Sequence, residues 1–268
     1  MLRNAFVKTL RDARRAIAWW SLGLIAMTAL MVAVYPTVRG NPDLNKMVED
    51  YPDAFKALLG LSENADYTSA VGYLNSELFG FMVPLLLLIA AIGAGARATA
   101  GEEERGTLDL LLANPISRRR LVLEKLAALA AEIAVLASCL WLALLVGVEA
   151  VGMNVSAANL AAATVAAALL AFAFGAITLF LGAALGRRGA AIGIAAAGAV
   201  AAYLLSSLAE LVDFLKPLRI ASPFYHYAAN DTLRAGLAAD HVVFLLLVGA
   251  AAAAAALVAF ERRDLATP

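Results

Sequence analysis

Few residues in this chain could carry bond-making chemistry, and their spacing argues against it. His226 and His241 are the only histidines and Cys139 the only cysteine. Either histidine could act as a base, but no serine–acid constellation surrounds them, and a solvated or interfacial role is the reading favoured. A single cysteine excludes an intrachain disulfide framework, and one cysteine with two histidines counts against a multi-Cys or His-rich metal centre. No G-x-x-x-x-G-K-[ST], H-E-x-x-H or G-x-S-x-G occurs, so the chain has no P-loop, zincin helix or nucleophile elbow. What remains is charge: Glu132 inside an apolar run, and the stretch G-E-E-E-R-G-T-L-D-L-L-L-A-N-P-I-S-R-R-R-L-V-L-E-K-L from Gly101 to Leu126.

In that stretch Glu102, Glu103 and Glu104 suit a helix N-terminus, where backbone amides attract negative charge. Leu108, Leu111 and Leu112 then share one face at i, i+3 and i+4. Asn114-Pro115 ends that helix, because the residue before proline avoids the α region, and Ser117 is placed to cap the next one. The spacing therefore predicts a helix, a tight break and a second helix, with a leucine ridge flanked by charges. A surface helix lying on lipid headgroups explains part of this; the ridge favours a docked protein partner.

The elements that position these residues follow from composition. Of 268 residues 63% are hydrophobic and only 16% charged, against about 45–50% and about 25% in soluble domains. The bilayer is the solvent that fits. Six runs reach the roughly 20 apolar residues a spanning helix needs: 16–35, 78–96, 126–148, 160–185, 189–209 and 242–260. None alternates as a barrel strand would. The fold class expected is an all-α integral membrane protein with six transmembrane helices, one domain over residues 1–268. The first run is too long for a signal peptide, and Ala33-Val34-Tyr35-Pro36 is a poor cleavage site.

Orientation follows from lysine and arginine. The N-terminus, second loop, fourth loop and tail carry 15 of the 21, and the other three loops carry six. By the positive-inside rule both termini are cytoplasmic. Net charge is zero, so attraction to nucleic acid finds no support. Outer loops are expected over 36–77 and 210–240, and a cytoplasmic region over 97–125. The first outer loop places Leu44, Met47, Val48, Tyr51, Phe55, Leu58 and Leu59 at helical spacing near Pro42 and Pro52. The second holds Phe224, Tyr225 and Tyr227, which suit a membrane interface and short helices.

Within the spans, Glu132 lies about six residues into the third, roughly 9 Å deep at 1.5 Å per residue. Its charge costs about 2.5–3.5 kcal/mol at a helix centre on insertion scales. It should therefore face the bundle, and Arg97 on the antiparallel second span is the nearest partner by depth. Pro84 could kink the second span. Gly182–Gly186 and Gly189–Gly193 are both G-x-x-x-G, expected to pack the fourth span on the fifth first and a second copy after that.

The run from Glu103 to Leu126 resembles the hallmark between the second and third spans of ATP-binding-cassette (ABC) type 2 exporter permeases. Ser222-Pro223-Phe224-Tyr225 with Asn230-Asp231-Thr232-Leu233 resembles that family's last outer loop, and Glu261-Arg262-Arg263-Asp264-Leu265 its tail. The resemblance implies a plasma-membrane permease, not itself an enzyme and with no cofactor of its own, that docks separate ATPase chains which bind the ATP. A second copy or sister permease would complete the pathway. It further implies that Glu104, Arg105, Thr107, Leu108, Leu111 and Leu112 couple to the ATPase. An amphipathic elbow over residues 1–15 would place Leu2, Phe6 and Leu10 on its apolar face and Lys8, Arg11 and Arg15 at the headgroups. A membrane-embedded enzyme and a non-transporting assembly or sensor protein are the competing classes.

Overall fold

The structure, a computed structural model, describes residues 4–52, 55–56, 66–107, 116–209, 211–229 and 231–263. Six helices are long and apolar enough to cross a membrane. We label them α1 (Ala5–Val38), α2 (Ala70–Ala98), α3 (Arg118–Ala150), α4 (Ala157–Leu185), α5 (Arg188–Leu208) and α6 (Ala239–Arg262). No strand occurs among the described residues. Several helices outrun the apolar stretches, α3 by the charged turn Arg118–Arg120 and α1 through Pro36 to Val38.

At the centre stands α4, packed against α2, α3, α5 and α6, while α1 lies along α3 on one flank. Small residues make the tightest crossing. A methyl group at Gly95 of α2 would collide with the Gly175 carbonyl oxygen of α4, and one at Gly175 would come within 3.2 Å of the Ala91 carbonyl. Close approach of this kind replaces the hydrophobic drive that lipid cannot supply. Around it, Leu74, Leu78, Leu87, Leu136, Leu140, Leu144, Leu160 and Leu170 form one continuous buried core.

The two G-x-x-x-G motifs do not pack α4 on α5. Gly182 faces Thr99 and Ala100 at the end of α2, Gly186 ends α4 with φ +66° against Arg263, and Gly189 and Gly193 meet nothing within 4 Å. The buried residues of α5 are instead Ala191, Ala195 and Ala199. In a chain this rich in alanine, any of several small residues can serve at that crossing.

Pro84 does more than kink α2. The nine residues before Val83, Leu74–Met82, are π-helical. Proline offers no N–H and its ring displaces the carbonyl one turn back; a π stretch absorbs that disruption. Tyr227, from a loop 148 residues later, donates its hydroxyl to the Phe79 carbonyl at 2.6 Å, inside the π stretch.

In the first loop a helix forms at Pro42–Glu49, capped by Asn41 with proline in its first turn. Met47 and Phe55 are exposed; Leu58 and Leu59 lie outside the described residues. Residues 211–229 and 231–238 fold into short turns and helices, including Pro223–Ala228 and Thr232–Ala235. Phe224 and Tyr227 are buried in the bundle rather than set at its rim.

Candidate functional site at the charged end of the bundle

The first turn of α1, the end of α6 and the start of α3 lie at one end, around a five-residue helix, Ala100–Glu104, that follows α2. That helix stops in a way the sequence E-E-E-R-G-T explains. The Gly106 amide donates to the Glu103 carbonyl at 2.9 Å and the Thr107 amide to the Glu102 carbonyl at 3.0 Å. Gly106 holds φ +65°. This is a Schellman stop, which needs a left-handed residue that glycine adopts without strain.

Each of the three glutamates reaches a different neighbour. Glu102, 3% exposed, accepts from Lys125 of α3 at 2.9 Å and from Lys8 of α1 at 2.9 Å. Thr107 also donates to its carboxylate. Glu103 pairs with Arg263 just past α6, and Arg263 in turn donates to the Ala183 carbonyl of α4 at 3.1 Å. Glu104 accepts from the Arg188 amide at 2.8 Å, the first residue of α5. One short helix thus reaches α1, α3 and α5 directly, and the end of α6 and α4 through Arg263.

The electrostatics favour ionisation. Burial, the largest single influence, pushes the Glu102 carboxyl up; the Lys125 charge and hydrogen bonds from Thr107, Lys125 and Lys8 together outweigh it, and the carboxyl falls to about 2. Lys125 is only 1% exposed and pairs with Glu102, so removing Glu102 would strand a buried charge.

A second anchor lies beside it. Glu124 of α3 accepts from the Ala5 amide at 2.6 Å and the Phe6 amide at 3.3 Å. A carboxylate there satisfies the unpaired first amides of α1 and offsets its dipole, alongside the Asn4 side-chain cap. Arg118 closes the ring, donating to the Arg263 carbonyl at 2.8 Å past the end of α6.

The expected site residues divide as follows. Glu104 and Arg105 are exposed; Arg105 lies 3.9 Å from Glu102. Thr107 is half-buried on Glu102. Leu108, Leu111 and Leu112 fall outside the described residues, as does Leu2. Phe6 and Leu10 are half-buried and Arg11 is exposed. The structure shows no separate elbow from Ala5 onward: those residues are the first turns of α1, with neither glycine nor proline before Gly23 to break it. Nor does Lys8 reach toward headgroups; the buried Glu102 charge draws it inward. Arg97 and Glu132 are brought together at 3.1 Å, with Glu132 buried.

Residue typing missed Lys125, Glu124 and Arg263. Lys125 stands next to the expected start of the third span and looks like an ordinary edge charge. Only the depth of Glu102 in the fold makes it a buried partner.

An apolar groove of about 350 Å³ runs between α2 and α5, lined by Pro84, Leu88, Ile89, Ala196, Tyr203 and Phe224 among others.

No curated protein was found to match the chain. The model of the ABC-2 family transporter proteins matches residues 4–265, nearly the whole length and both ends of the charged ring. The chain belongs to the ABC-2 transporter family.

Proposed function

We propose that this chain is the permease subunit of an ABC exporter and that a separate ATPase docks on the charged end. The observation that supports this is the three-glutamate helix, which ties α1, α3, α5 and α6 to the segment joining α2 and α3. A push on that segment reaches five helices at once. In this reading ATP-driven closure of the ATPases shifts residues 101–115, and the spans pass between inward- and outward-facing states. Both termini then lie in the cytoplasm of a bacterial cell and the membrane is the plasma membrane. The conduit is completed by a second copy or a sister permease. The α2–α5 groove supports a hydrophobic or amphipathic cargo.

The test is co-purification with the ATPase and measurement of its hydrolysis rate. Glu104→Lys and Leu108→Asp should detach or uncouple the ATPase while membrane insertion stays intact. An ATPase that binds and hydrolyses equally well with both variants, or no associated ATPase at all, overturns the reading.

A further inference from the structure

The two histidines stand side by side at the opposite end of the bundle. His226, in the Pro223–Ala228 helix, and His241, in the first turn of α6, bring their Nδ1 atoms to 3.0 Å. His226 Nε2 lies 2.8 Å from the Ile220 carbonyl oxygen. A carbonyl can only accept, so Nε2 carries the proton and the neutral ring presents its Nδ1 lone pair to His241. Phe244, one turn along α6, stacks on His226 at 3.7 Å and 15° and fixes the ring plane. Asp240, largely exposed, holds a carboxylate oxygen 3.8 Å from His241 Nδ1. Tyr225 makes T-shaped contacts with both imidazoles, and Arg219 sits 5.1 Å over the Tyr225 ring. A cavity of about 10 Å³, lined by both histidines and Thr232, adjoins the pair.

We propose that His226 and His241 chelate one transition-metal dication with zinc-like preferences, with Asp240 and water completing the shell. Two imidazole nitrogens on a tetrahedral zinc at about 2.0–2.1 Å stand about 3.3 Å apart, so the pair opens by a few tenths of an ångström while the rings turn in their planes until both Nδ1 lone pairs converge on the ion. The Ile220 carbonyl already supplies the outer hydrogen bond that metal-ligating histidines use to fix tautomer and orientation. Binding moves the His241 proton from Nδ1 to Nε2 and leaves both Nδ1 lone pairs on the metal. When the pair is neutral no proton is released; a protonated pair must lose one, so acid weakens binding. Among the described residues no three His, Cys, Asp or Glu side chains yet converge on one point. Asp240 must therefore turn in, which its exposure allows. The occupied site would tie the Pro223–Ala228 helix, and with it the Tyr227 bond to α2, to the head of α6.

The test is zinc chloride titration by calorimetry on the purified full chain with any tag removed, magnesium serving as control. One zinc per chain is expected, with a rise in unfolding temperature. His226→Phe keeps the stacking on Phe244 and His241→Gln keeps the polarity; each should lower affinity at least tenfold, and Asp240→Asn by less. His241→Cys should restore binding and, with cobalt, give the visible bands of a thiolate-bound four-coordinate ion. Absence of saturable zinc binding, which leaves a shared proton as the pair's only occupant, overturns the proposal. So does binding unchanged in His226→Phe and His241→Gln.

Discussion

At the charged end, helices meet through ionised groups gathered on one short helix; at the opposite end they meet through rings and hydroxyls. There Tyr73 of α2 donates to the Met31 carbonyl of α1 at 2.8 Å, Ser222 to the Ala202 carbonyl of α5 at 2.7 Å, and Tyr227 to Phe79 of α2. Phe174, Phe224 and Tyr203 form a chain of ring contacts with centroids 5.8 and 5.3 Å apart. Hydroxyl-to-carbonyl bonds and rings are short-ranged and indifferent to salt. Ion pairs act over longer distances, respond to pH, and can exchange one partner for another when a neighbour moves. The first arrangement suits a rigid cap and the second suits an end that must be displaced and re-formed.

The sharpest way to break this contrast is Glu102→Met, which strands the buried Lys125 charge. Loss of a buried partner costs about 3–5 kcal/mol, so the variant should show a large drop in unfolding temperature in detergent. Little change would mean that water already screens Lys125. Acid tests Glu102 without mutation. Its folded carboxyl lies at about 2 against an ordinary 4.5, so its contribution is fully present above about 4.5 and is lost as pH falls toward 2. The shift corresponds to about 3 kcal/mol. Hydrogen exchange at pH 3 should accelerate at residues 100–107 before it does at 223–228. Simultaneous acceleration would erase the distinction between the ends.

Smaller effects come from the opposite end. Tyr227→Phe removes one buried hydroxyl bond and should cost about 1 kcal/mol, with no dependence on salt between low and high ionic strength. Smallest is Glu104→Gln, which keeps an acceptor for the Arg188 amide but removes its charge. Loss of charge at a helix N-terminus costs about 0.3–1 kcal/mol, visible as fraying of the first turn of α5 by exchange.

The spans were legible because lipid demands long apolar runs: five of the six runs fall within observed helices and the fifth overruns its helix by one residue. Their limits were less so: apolarity alone starts the third span at Leu126, and only Ser117, placed as a cap and found as one, marks the true start of α3 at Arg118. Matching depths on antiparallel neighbours singled out Arg97 and Glu132, which lie 3.1 Å apart. The same reasoning passed over Glu102 and Lys125, because both stood outside the apolar runs and nothing in composition shows that Thr107, Lys8 and the end of α2 bury them. The histidine pair was illegible for a different reason: 15 residues of turns separate the rings, and only the folded loop sets their distance.

One feature of α1 reaches beyond the site. A single unbroken 34-residue helix is about 51 Å long at 1.5 Å per residue, well over the roughly 30 Å of hydrocarbon it crosses. Gripped near its foot by Lys8 and Glu124 and near its head by the Tyr73 hydroxyl, it behaves as a stiff oar in a rowlock. A nudge of an ångström or two at one tip returns as a swing of the other, with no hinge in between to absorb the stroke.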